Sequence, residues 1–149
     1  MPFTLVNSIA AGNFRHAGTE SNIGGEADAA TSFNNLVGAV GTGWLENGIN
    51  GNIVGVSDPR LNPLADNGGP TFTHTLKADS PARNAGIANV PSDSFDLDHD
   101  NNRGEMLPVD QRGFPRFTGT LDIGAVEMNA APTGVAISNA NIDENLPAG

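Results

Sequence analysis

Short apolar steps, each introduced by Asn and closed by Gly, set the rhythm of the first third of the chain. Asn22-Ile23-Gly24-Gly25, Asn35-Leu36-Val37-Gly38 and Asn52-Ile53-Val54-Gly55 share the pattern Asn-apolar-x-Gly, and Asn7-Ser8-Ile9 is a fainter member placed 14 residues before Ile23. A repeated short strand followed by Gly suits stacked turns of chain, in which apolar side chains pile up inside and Gly or Asn takes the bend. Asn tolerates left-handed backbone and can form side-chain ladders between stacked turns. Ordinary β-hairpins with similar turns are the alternative, because the spacings of 13 and 17 are uneven.

Beyond residue 57 the pattern changes. Asp58-Pro59-Arg60-Leu61-Asn62-Pro63-Leu64 is too rich in Pro for a helix or a central strand. Asp66-Asn67-Gly68-Gly69-Pro70 is a dense turn signal, and Thr71 to Leu76 then alternates polar and apolar as a strand does. Ser80 to Gly86 fits one helical turn with Ser80 as N-cap, Pro81 at the first position and Gly86 as C-cap. Leu121 to Val126 is a further short apolar strand, and 129 to 134 reads as a linker. Val135, Ile137 and Ile142 then suggest a strand whose partners are missing. The organisation expected is therefore 1–57, 58–128 with an acidic loop at 93–110, and 129–149. The core candidates are Ile9, Ile23, Leu36, Val37, Ile53, Val54, Phe72, Leu76, Leu121, Ile123 and Val126.

Composition supports an all-β reading. Among 149 residues there are 19 Gly, 10 Pro and 18 Asn but a single Lys, whereas exposed helix faces draw heavily on Lys. A net charge of −10 argues against a nucleic-acid or anionic-membrane surface and makes cations the natural partner class. With no Cys, disulfides, zinc ribbons and thiol nucleophiles are excluded. Met1-Pro2-Phe3 opens without a signal-peptide pattern, and no apolar run approaches the ~18 residues of a membrane span. If the protein is exported, the signal is expected to lie outside this sequence.

The densest chemistry is Asp96-Leu97-Asp98-His99-Asp100-Asn101-Asn102-Arg103-Gly104-Glu105. Oxygens at Asp96, Asp98, Asp100 and Asn102 alternate along a tight loop, the spacing that calcium favours, with Glu105 or Asp110 completing the shell. An EF-hand would place Gly where Asn101 stands and Glu where Leu107 stands. Asn101 can adopt the left-handed backbone required there; the acid must come from elsewhere. The role expected of calcium is structural, and the alternative is a solvated acidic turn. His16, His74 and His99 do not form a zinc set; His74 is expected to be packed or half-exposed and His99 to face solvent. Arg112 and Arg116, about the Gly113-Phe114-Pro115 turn, could clamp a carboxylate or sugar. Pairing of Arg112 with a buried Asp is the preferred alternative. Trp44, among Gly41, Gly43 and Gly48, could be a sugar-stacking platform or a partly buried packing residue.

Several strings occur in a telling order: Asn7-Ser8-Ile9 with Ala11-Gly12-Asn13, Asn35-Leu36-Val37-Gly38, Asp58-Pro59 through Leu64-Ala65-Asp66-Asn67-Gly68-Gly69-Pro70-Thr71, Ser80-Pro81-Ala82, Asp110-Gln111-Arg112-Gly113, and Asp122-Ile123-Gly124-Ala125-Val126-Glu127. Over about residues 5 to 128 the chain resembles the C-terminal end of bacterial right-handed parallel β-helix surface proteins, often labelled choice-of-anchor Q domain proteins. The resemblance implies an all-β fold of terminal β-helix coils with an irregular Gly/Asn/Pro-rich C-terminal cap over the open end. It also implies secretion, a long upstream β-helix, and display or anchoring at a bacterial cell surface. Ala131-Pro132-Thr133, then Ile137-Ser138 and Ile142 to Gly149, is similar to the opening strand of bacterial cadherin-like repeats. That likeness implies a calcium contribution from Glu144 between adjacent modules. The expected function is a non-enzymatic surface or adhesion module, with carbohydrate or another surface polymer and neighbouring domains as partners. The rival is the remnant of a β-helix polysaccharide lyase or glycoside hydrolase, which would need a cleft of convergent carboxylates with Arg or Lys.

Overall fold

The computed structural model describes residues 1–16, 18–88, 90–97, 99–116 and 119–128. Asp98, the linker and the cadherin-like stretch with Glu144 lie outside the described residues. The fold is mostly β, built from few and short strands: β1 Ile9–Ala10, β2 Phe14–Arg15, β3 Thr19–Glu20, β4 Leu36–Gly38 and β5 Ile53–Val56. There is no α-helix among the described residues, as the scarcity of Lys suggests, and a 3-10 turn spans Ile49–Gly51. Among the described residues no closed barrel or solenoid is identified.

Strands β1, β4 and β5 form one parallel sheet in that order, with Ile9, Leu36 and Ile53 in register. Parallel bridges Phe3↔Ala27, Val6↔Phe33 and Ile23↔Thr42 run in the same sense outside the strands. Parallel neighbours need long connections, and here loops supply them where helices usually do. The Asn-apolar-x-Gly echo is thus corrected in one respect. Successive rungs are 27 and 17 residues apart, so Ile9 pairs with Leu36 and not with the Ile23 echo. The longer connection holds the antiparallel hairpin β2–β3, an insertion that spacing alone does not reveal.

Side chains alternate across the sheet and divide the core in two. Leu36 packs with Leu76, Ala82 and Ile123, joined by the half-buried Ile9 and Ile53. Val37 packs with Ile23, Ala27 and Leu45, joined by Ala10 and Val54. The segment from Leu61 onward therefore covers a face of the sheet, including its middle strand, where a cap over the end was expected. Of the core candidates, Phe72 is the exception at 63% exposed. Residues 71–76 do not run as one strand but touch their partner at Ala65↔Thr73 and Leu61↔Leu76. Those contacts are three residues apart, so Thr73 and Leu76 turn in and Phe72 turns out.

The turn at Ser80 forms with the expected first half. Ser80 Oγ accepts from Ala82 N at 3.3 Å and donates to Pro59 O at 2.7 Å. It closes at Asn84, whose φ is 54°, and not at Gly86. Gly86 serves a close approach instead, since a Cβ there would sit 2.7 Å from the Asp122 carbonyl oxygen.

Candidate functional site

Two asparagine columns bind the sheet to its surroundings. In the first, Asn35 Oδ1 accepts from Ser8 N at 3.0 Å, while Asn52 Oδ1 accepts from Asn35 N at 3.0 Å and from Asn35 Nδ2 at 2.9 Å. Asn35 Nδ2 also reaches Leu5 O, and Asn52 Nδ2 reaches Ser32 O and Ile49 O. Both side chains are buried, so each bond satisfies a polar group that water cannot reach. The second column is Asn7, Asn34 and Gly51, all left-handed at φ 49°, 49° and 70°. Asn7 Nδ2 donates to Ile87 O, Ile87 N returns a bond to Asn7 Oδ1, and Asn34 Nδ2 donates to Ala85 O. Residues 85–87 are thereby tied across successive rungs.

A buried ionic cluster joins Asp110–Arg116 to Asp122–Met128. Arg112 Nε and an Nη donate to Asp110 Oδ2 at 3.0 and 2.7 Å, and the same Nη reaches Glu127 O at 2.8 Å. Its guanidinium also lies 4.7 Å from the Phe114 ring centre. Asp110 further accepts from the backbone amides of Arg112, Phe114 and Glu127. Arg116 is buried and donates to the carbonyls of Val109, Gly124 and Ala125 at 3.3–3.4 Å. Asp122 accepts from Asn84 N and Met128 N, and Glu127 accepts from Asp122 N. The guanidinium groups of Arg112 and Arg116 thus point inward, and Asp110 is engaged with Arg112 and backbone amides. Asp122 and Glu127, which sequence reasoning did not single out for a role, are the cluster's other carboxylates.

In the acidic loop the candidates Asp96, Asp100 and Asn102 each hold a nearby backbone amide. Asp96 Oδ1 accepts from Asn101 N, Asp100 Oδ1 from Asn102 N, and Asn102 Oδ1 from Gly104 N. Asn102 Nδ2 donates to Glu105 Oε2 at 3.2 Å. Asn101 is left-handed at φ 68°, as its position requires, and so are Asp96 and His99. Among the described residues no three acids or histidines are placed to hold one metal ion. The loop does carry an unforeseen feature: Asp93 is 1% exposed, its Oδ2 accepts from Leu97 N, and its Oδ1 has no hydrogen-bond partner.

Trp44 is 73% exposed with left-handed backbone, which overturns the packing alternative. It borders a shallow hollow of about 410 Å³ with Glu26 and Asp28. A larger groove of about 1010 Å³ lies between β1 and residues 61–64, 72–77 and 124–126. Lys77 and His74 line it, and no Asp or Glu does. His74, expected to be packed or half-exposed, is exposed, and its Nδ1 donates to Asn62 O at 2.7 Å. His99 is exposed as expected. No helix among the described residues is long and apolar enough to cross a membrane. The chain matches no protein-family model, no curated protein and no solved structure.

Proposed function

We propose that this chain is a non-enzymatic, extracellular bacterial surface module: terminal coils of a right-handed parallel β-helix, flanked by residues 58–128 and leading into a cadherin-like repeat. Its task in this reading is to hold and display the coils at the cell surface, with carbohydrate or another surface polymer as partner. The observation that carries the reading is the Ser8–Asn35–Asn52 column on three parallel rungs, since stacked coils repeat their polar corner at each level. Trp44 offers the exposed aromatic face that a sugar would stack on. Asn35→Ala should lower stability by about 1–3 kcal/mol in denaturant unfolding, because it strips partners from Ser8 N, Leu5 O and Asn52 Oδ1 together. An unchanged midpoint would sink the stacked-coil reading. The lyase or hydrolase alternative draws no support from the large groove, whose lining lacks the carboxylates such chemistry needs. Product release from pectin or alginate would reverse that preference.

Calcium belongs to the same proposal. A buried carboxylate oxygen without a partner, Asp93 Oδ1, is a destabilising feature that a cation would relieve. Asp96, Asp98, Asp100, Asn102 and Glu105 would supply further oxygens. Calcium at a hundredfold its Kd should then raise stability by about 2.7 kcal/mol, and Asp93→Asn combined with Asp100→Asn should abolish the effect. Flat calorimetric heats on metal-stripped protein would leave the loop as a solvated turn.

A further inference from the structure

Neither packing nor backbone preference accounts for Trp44. The residues on either side of it turn into the fold. A Cβ on Gly43 would lie 2.5 Å from Ile23 Cγ2, and Leu45 is 3% exposed in the cluster with Val37. Trp44 between them is 73% exposed at φ 71°, a backbone conformation that bulky side chains disfavour. A large aromatic ring held outward in this way has its surface available to a ligand.

The hollow of about 410 Å³ that Trp44 borders is built on successive levels of chain. Phe3 bridges Ala27 in parallel, and Ala27 N donates to Gly43 O at 2.9 Å. Phe3 N donates to Glu26 O at 3.2 Å and Asp28 N to Phe3 O at 2.8 Å, so Glu26 and Asp28 stand on either side of the middle level. Asp28 Oδ1 accepts from Ala30 N at 2.9 Å, which holds that carboxylate in place. The lining contains no Lys, Arg or His. Among the described residues neither Glu26 nor Asp28 is paired with a basic side chain. The hollow therefore joins an exposed aromatic surface to two carboxylates that no protein cation neutralises.

We propose that this hollow binds a cationic amino sugar, a hexosamine residue whose amino group is free, with the sugar on the Trp44 indole and the ammonium against Glu26 and Asp28. The inference rests on the carbohydrate partner of the proposed surface module and names the class of sugar. Charge in the lining selects among sugars. A neutral sugar would meet the ring but no opposite charge, and an acidic one would be repelled by a chain of net charge −10. A free ammonium is favoured twice, since Trp is the best cation–π ring and a carboxylate acceptor strengthens each N–H bond. N-acetylation removes the charge and both of those contributions with it.

Trp44 is the only Trp in the chain, so its fluorescence reports on the site directly. The full chain would be titrated with the glucosamine trisaccharide, its amines protonated, and with the fully N-acetylated trisaccharide, with calorimetry as a second readout. The free-amine trisaccharide should bind about tenfold more tightly than the acetylated one. Trp44→Ala should abolish calorimetric binding of both, and Glu26→Gln with Asp28→Asn should bring the two affinities together. Asp58→Asn with Asp79→Asn removes as much charge away from the hollow and should leave the preference intact. Equal affinities in the parent chain, with binding lost on Trp44→Ala, would overturn the amino-sugar inference and spare a sugar-stacking Trp44. A preference that survives Glu26→Gln with Asp28→Asn, or falls as far with the distant pair, would overturn it in favour of a general attraction of cations to an acidic protein. Binding of neither trisaccharide would overturn it as well, and the stacked-coil reading would then rest on Asn35→Ala alone.

Discussion

Asp110→Ala is expected to destabilise the protein by about 3–5 kcal/mol, the cost typical of stranding one partner of a buried ion pair. Arg112 is only 11% exposed at its side chain and Asp110 is fully buried, so water cannot replace the lost contacts. Three backbone amides lose their acceptor in the same step. Denaturant unfolding would read the change as a lower midpoint at unchanged slope. A loss below about 1 kcal/mol would mean that the cluster re-forms around another acceptor. Replacing Asp110 and Arg112 together by apolar residues should cost less than Asp110→Ala alone, since no charge is then left stranded.

The same cluster gives stability a pH signature. Burial favours a higher pKa for Asp110, but the Arg112 hydrogen bond and the amides of Glu127, Arg112 and Phe114 outweigh it and hold the carboxyl below its ordinary 3.8. Glu127 is pushed above its ordinary 4.5, first by burial and then by the charges of Asp122 and Asp110, against the Asp122 amide and Arg116. Between the folded pKa of Asp110 and 3.8 the unfolded chain binds more protons, so stability from this group is present above that window and lost as pH falls through it. Between 4.5 and the raised pKa of Glu127 the folded chain binds more protons, so stability is lost as pH rises through that window. Both contributions are present together in the interval between the two ordinary values, 3.8 and 4.5. Glu127→Gln should flatten the limb above the maximum, and Asp110→Asn the limb below it.

How much of this was legible in the sequence depends on whether a residue's role is local. Leu36 and Ile53, each led by Asn and followed by Gly, announced their strands because a stacked polar corner and a bend are short-range requirements. Asn101 announced its left-handed backbone for the same reason. Register did not follow from spacing, because the β2–β3 hairpin lengthens one connection without adding a rung. Phe72 misled because alternation in sequence fixes a face only when the strand is continuous, and here two bridges three residues apart set the faces. Asp93, Asp122 and Glu127 carried no local signal that set them apart from other acids, yet all three are buried; Asp122 and Glu127 owe their places to contacts with Asn84 and Asp110, 38 and 17 residues away. Trp44 stands exposed on a left-handed turn that the neighbouring glycines hinted at without fixing its direction.

Leu36→Ala is expected to cost about 2–5 kcal/mol, and the reason returns to how residues 58–128 are held. Leu36 is 0% exposed, lies on the middle strand, and is where Leu76, Ala82 and Ile123 meet the sheet. Those partners come from two stretches of chain, 76–82 and the one around Ile123, which hydrogen bonds tie to each other and to the first rung. Ile123 N donates to Ala82 O, Gly124 N to Asn7 O, and Gly86 N to Leu121 O. With the backbone so fixed, the surroundings have little freedom to collapse into the space left, which places the cost toward the upper part of that range. Val37→Ala probes the opposite face and removes fewer atoms, so it should cost less and should leave the amides of Ile123 and Gly124 protected. Leu36→Ala should instead speed exchange at both, because it loosens the contact that seats the flanking segment on the sheet. Equal exchange at Ile123 and Gly124 in the two variants would show that the polar stitches, Asn7 to Ile87 and Asn34 to Ala85, hold the segment without the apolar contact.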